Sequence, residues 1–150
     1  MNEPILTFFM PLTMCVFYTL KFQVDSPENL WGLVLGIASF QWLWAVKNWM
    51  VGPLKRDSGL FTWLTIVYGT YLRSPNAATG GCALLGVSHL AVGLKQVSGM
   101  FKSKTMDQYW ATAAKYFKKS EFFARIFFLY MWAAAGFWLW CASDFYSLIK

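Results

Sequence analysis

This chain has 150 residues, 57% of them apolar and 13% charged, whereas about a quarter of the residues of a soluble domain carry charge. Its thirteen Lys and Arg against seven Asp and Glu give a net charge of +6, but these charges sit on short connecting stretches, and that excludes a nucleic-acid reader, which needs them gathered on a water-exposed fold. The expected fold is all-α: a polytopic transmembrane helical bundle of five spans with one interfacial amphipathic helix, forming a single domain over 1–150.

The first apolar run, 4–24, follows Met1-Asn2-Glu3-Pro4. That start lacks the basic region of a signal peptide and the Arg-rich character of a presequence, so the run is expected to be retained as a span. Asp25-Ser26-Pro27-Glu28-Asn29 stops one helix and starts the next, with Asp25 or Ser26 capping and Pro27 in the first turn. The second span covers 30–51, where Gln41 aligns with Trp44 and Asn48 at helical spacing. Such a polar row acts as interhelical glue worth around 1 kcal/mol. Gly52-Pro53 ends it.

The third run, 59–72, rises only about 21 Å against a hydrocarbon core of about 30 Å. Charge decides in favour of a crossing. Threaded as five spans, the chain puts Lys47, Lys55, Arg56, Lys95, Lys102, Lys104, Lys115, Lys118, Lys119 and Arg125 on the side of the N-terminus, and only Lys21, Arg73 and Lys150 opposite. Lys/Arg bias in short loops sets orientation, so this basic side should face the cytosol or the mitochondrial matrix. Without the third crossing the bias collapses.

Ser74-Pro75-Asn76 makes a tight hairpin into the fourth span, 77–94. There Thr79, Cys82, Gly86 and Gly93 recur on one face, which also carries His89, the chain's single histidine. Small residues allow helix backbones to approach closely in lipid, and an imidazole at that depth needs a hydrogen-bond partner, expected on an adjacent helix. One histidine cannot supply a metal or bis-His haem site alone, so no metal and no cofactor is expected. Haem shared with a partner chain, or a quinone, is the sharper alternative. Ser88 beside it lacks the second glycine of a nucleophile elbow.

Residues 104–121 read as an amphipathic helix. Thr105 with Gln108 fits a capping box, and Met106, Tyr109, Trp110, Ala113 and Phe117 share a face opposite Asp107, Lys115 and Lys118. Trp110 with Lys102, Lys104, Lys115, Lys118, Lys119 and Arg125 forms the candidate site for anionic lipid such as cardiolipin, or for an acidic neighbouring subunit. Neither Pro nor Gly separates this helix from the last span, 122–149, which allows one long bent helix.

Acidic residues lie at span ends or in loops, which argues against proton pumping and ion coupling. Aromatic residues make up 20% of the chain, more than interfacial belts require. Trp42, Trp132 and Trp138 are expected deeper, packed on partner subunits or tightly held lipid, with a flat ligand as the alternative. Cys15, Cys82 and Cys141 are odd in number and far apart, so neither a disulfide framework nor a zinc spacing follows.

The run Arg56-Asp57-Ser58-Gly59-Leu60-Phe61-Thr62-Trp63-Leu64-Thr65, followed by the hairpin and Gly86-Val87-Ser88-His89, resembles the centre of the ergosterol-biosynthesis scaffold family, over residues 56–94. Members are small proteins of the endoplasmic reticulum with a similar Arg-x-x-Gly-[Ile/Leu]-aromatic-Thr run and a later Gly-His-Phe. Here Ser88 and Leu90 depart from that second motif, the acidic residue usual shortly after it is missing, the hairpin is shorter, and an extra span precedes the match. The resemblance implies a non-catalytic tether that holds other membrane proteins together.

Without a catalytic constellation, the chain reads as a non-catalytic accessory subunit of a large inner-membrane assembly, the mitochondrial respiratory chain or ATP synthase, whose partners are other membrane subunits and anionic lipid. The alternatives are a scaffold of the endoplasmic reticulum and a small membrane enzyme acting on a lipidic or thiol substrate. Such enzymes need Arg, Asn and Glu clustered along one span, a cluster these spans lack.

Overall fold

The computed structural model describes residues 27–49, 57–117 and 120–149, the side chains at 27 and 40–63 excepted. The expected span at 4–24 lies outside the described residues. So do Lys118 and Lys119, and the side chains of Gln41, Trp42, Trp44, Lys47 and Asn48.

All the described elements are helices: α1 Pro27–Trp49, α2 Asp57–Tyr71, α3 Pro75–Lys102, α4 Met106–Phe117 and α5 Glu121–Ser147. Two of them, α3 with 28 residues and α5 with 27, are long and apolar enough to cross a membrane. At 1.5 Å per residue each spans about 40 Å. α2, with 15 residues, rises only about 22 Å. It nevertheless returns the chain to the end from which α1 starts, because Arg73, just beyond α2, pairs with Glu28 at 2.9 Å.

Local chemistry sets each boundary. α2 closes through a paired turn in which the Ser74 N–H donates to Gly69 O (2.8 Å) and the Arg73 N–H to Thr70 O (3.2 Å), with Arg73 left-handed at φ 52°. This is the arrangement that satisfies the last carbonyls of a helix, built here without the usual glycine. Ser74 then caps α3, its hydroxyl accepting from Ala77 N, and Pro75 occupies the first turn, where its missing N–H costs nothing.

α3 runs past the apolar stretch 77–94 to Lys102, since Lys, Gln and Ser continue a helix even though they end a hydropathy window. It stops at Ser103, whose N–H donates to Met100 O and whose hydroxyl donates to Gly99 O.

Thr105 caps α4 by accepting from Gln108 N at 3.2 Å, and the helix proper is Met106–Phe117, shorter than 104–121. The continuous bent helix does not form. Ser120 is extended, its hydroxyl accepts from Phe123 N at 3.2 Å, and α5 starts afresh at Glu121.

The core lies where α1, α2, α3 and α5 meet. Val34, Ile37 and Ala38 come from α1, Ile66 from α2, Ala78, Cys82 and Leu85 from α3, and Ala134, Phe137, Trp138, Cys141 and Phe145 from α5. The Trp31 and Phe145 rings, 4.5 Å apart, tie the start of α1 to the end of α5. Trp138 is therefore enclosed by the chain's own helices, although a partner or lipid was the expected neighbour, while Trp132 remains partly exposed.

Candidate functional site

α3 and α5 are joined along a seam of small residues. A Cβ added at Gly86 would stand 2.6 Å from Leu139 Cγ and 3.1 Å from the Leu139 backbone nitrogen, and one at Gly93 would stand 3.0 Å from the Trp132 ring. Facing Gly86 to Leu139 and Gly93 to Trp132 fixes the two helices as antiparallel, residue for residue. Cys82, Gly86, His89 and Gly93 all lie buried on this face of α3. Cys82 and Cys141 are both buried.

A second close approach joins α2 to α3. A Cβ on Gly69 would meet Ala77 Cβ at 2.9 Å, and one on Gly81 would collide with Ile66. Sequence reasoning missed Gly69 and Gly81. Their signal was a glycine inside each of two apolar runs joined by a tight hairpin, where backbones of antiparallel neighbours must pass close by.

His89 lies inside the seam. Its Nδ1 sits 2.6 Å from the carbonyl of Leu85, one turn back on the same helix, so that bond is intrahelical where an adjacent helix was expected. A carbonyl accepts, so the contact places the proton on Nδ1. Across the seam the imidazole and the buried Tyr130 ring stand roughly perpendicular, with centroids 6.1 Å apart. Ser88 is exposed and donates to Leu84 O at 2.7 Å. Among the described residues no three of His, Cys, Asp and Glu come together.

The basic end is built by α4 and the first turns of α5. α4 turns Tyr109, Trp110 and Phe117 toward its neighbours: Trp110 packs on Phe128 (6.0 Å) and Phe117 on Phe127 (4.9 Å) and Phe123 (5.8 Å). Tyr109 lies over Gly99 of α3, and partial burial pushes its phenol above the ordinary tyrosine value. The face expected to enter lipid is thus half-covered by protein. Arg125 stands over the Trp110 ring at 5.5 Å and 4.0 Å from Glu121, so two of the predicted lipid-binding residues are brought together. Lys102, Lys104 and Lys115 are exposed at the same end.

No family model, characterised protein or solved structure matches this chain. Function is therefore read from its own residues: a tightly seamed helix pair, a basic aromatic end, and rows of large apolar side chains facing outward. Those rows include Leu84, Val87, Val92 and Leu94 on α3 and Leu129 on α5.

Proposed function

We propose that this chain is a non-catalytic accessory subunit of a large membrane assembly, in the mitochondrial inner membrane as part of the respiratory chain or ATP synthase. The seam between α3 and α5 is the observation that carries this reading. Two helices long enough to cross a membrane are locked together through Gly86 and Gly93, and their bulky apolar side chains turn outward, toward lipid and neighbouring helices.

The five-span topology belongs to the same proposal, with 4–24, 30–51 and 59–72 completing the bundle and the basic end facing the matrix.

Depletion of the chain in its own organism tests the role. The parent complex should assemble less or lose lateral association, while turnover per intact complex stays near normal. Intact complexes in normal amount with reduced turnover would instead assign the chain a catalytic part. The resemblance over 56–94 supports a tether of the endoplasmic reticulum as a second site for the same kind of role, and cell fractionation separates the two.

A further inference from the structure

Large aromatic side chains are exposed at both ends of the helix pair, and the register of the seams puts them at two levels. Gly86 faces Leu139, and seven residues on, Tyr146 of α5 comes level with Thr79 of α3. Gly81 faces Ile66, and two residues on, Tyr68 of α2 comes level with the same Thr79. Tyr68 is 64% exposed and Tyr146 66%. At the other end Gly93 faces Trp132, and eight residues on, Phe101 is level with Ala124, two positions from Phe122. Phe101 is 86% exposed and Phe122 62%.

Tyr68 and Tyr146 therefore form one rim, and Phe101 and Phe122 the other. From Thr79 to Phe101 the axial rise is about 33 Å, and from Phe122 to Tyr146 about 36 Å. A hydrocarbon core is about 30 Å thick, so both sets of rings fall just outside it, at headgroup depth.

The two rims differ in charge. Around Phe101 and Phe122 stand Lys102, Lys104, Lys115 and Arg125, with Tyr116 exposed among them and Asp107 and Glu121 as the acidic residues. Around Tyr68 and Tyr146 the described charges are Arg73, paired with Glu28, and Asp144. Between the rims the outward residues of α3 and α5 are chiefly apolar. Ser88 is bonded within its own helix, and Lys95 lies about 9 Å inside the basic rim, which its chain reaches by snorkelling.

We infer that these two aromatic rims hold the chain at a fixed depth in the bilayer, and that the Phe101/Phe122 rim, with Lys102, Lys104 and Lys115, binds the phosphates of anionic lipid in one leaflet. This rests on the proposed reading of the chain as membrane-spanning and adds to it which residues meet the lipid and in which leaflet. The rings that reach lipid are Phe101, Tyr116 and Phe122, whereas Trp110 and Phe117 are held against α5.

Two measurements on the full chain, reconstituted in phosphatidylcholine vesicles with phosphatidylglycerol added, test this. In the first, native mass spectrometry counts retained phosphatidylglycerol. Each basic residue near an anionic surface is worth about fivefold in affinity. The K102Q/K104Q/K115Q variant should therefore bind on the order of a hundredfold more weakly, and R73Q at the opposite rim should bind as the wild type does.

In the second, nitroxides are placed at Val92→Cys, Phe101→Cys, Phe122→Cys and Leu129→Cys, with Cys15, Cys82 and Cys141 replaced by Ala. Wild-type lipid retention in the labelled chains at 92 and 129 shows that they have folded. Labels at 101 and 122 should be reached by an aqueous nickel chelate, and labels at 92 and 129 only by oxygen. Chelate reaching 92 and 129 would sink the membrane reading itself. With 92 and 129 shielded, wild-type lipid retention by the triple Lys variant, or 101 and 122 as deep as 92, overturns the rim inference alone.

Discussion

Gly86→Ala tests the seam between α3 and α5. The added methyl would stand 2.6 Å from Leu139 Cγ, 2.8 Å from its Cδ2 and 3.1 Å from its backbone nitrogen. The partly exposed Leu139 side chain can swing aside, but its backbone nitrogen moves only if α5 moves with it. Overpacking of this kind costs about 1–3 kcal/mol, while replacing a mid-helix glycine by alanine returns about 1 kcal/mol. The variant should therefore lose up to about 2 kcal/mol.

Gly80 on the same helix has nothing within 4 Å of its added methyl. Gly80→Ala should accordingly gain up to about 1 kcal/mol. Unfolding of the full chain in mixed micelles, titrated with a denaturing detergent, measures both midpoints side by side. A Gly86→Ala midpoint at or above that of Gly80→Ala would refute the account of the seam.

Three other predictions come from single sites. Arg73→Gly removes a left-handed arginine, a conformation costing about 1 kcal/mol or more, and with it an exposed ion pair (63% and 66% exposed) worth about 0–1 kcal/mol, so the variant should unfold at or slightly above the wild-type midpoint, and a loss above about 2 kcal/mol would contradict this. His89→Gln, still able to hydrogen-bond Leu85 O, should leave assembly near normal, whereas His89→Leu loses that bond and the ring contact with Tyr130 and should cost about 1–2 kcal/mol; a haem or metal signal that vanishes in an assembled His89→Gln protein would overturn the packing role. Cysteines introduced at Ser74 and Ser147 should react with an impermeant reagent from one side of the membrane and one at Ser103 from the other, and labelling of all three from one side would exclude a crossing by α3 and α5.

Part of this architecture was legible in the residues. Ser74-Pro75-Asn76 marked the hairpin because serine caps and proline suits a first helical turn, and both act there as expected. Thr105 likewise announced the start of α4. Hydropathy falls at Lys95 and so ends the apolar run at Leu94, but hydropathy measures affinity for lipid and not helicity, and the helix runs eight residues further.

The break before α5 carries neither Pro nor Gly, the strongest helix stops in a sequence. Ser120 makes it through its side chain, a signal present but unread. The left-handed turn at Arg73 had no sequence signal, since glycine or asparagine usually fills that position. Nor does a residue pattern say whether His89 bonds its own helix or the next. The carbonyl one turn back is always within reach, and only packing decides whether the ring turns toward it.

The most direct test of the central claim is native electrophoresis of the membrane solubilised in mild detergent, with mass spectrometry of whatever migrates with the chain. An accessory subunit should migrate in a particle far larger than 17.2 kDa, containing other integral membrane subunits and anionic lipid. A chain that migrates alone in its own micelle and turns over a substrate there would contradict it.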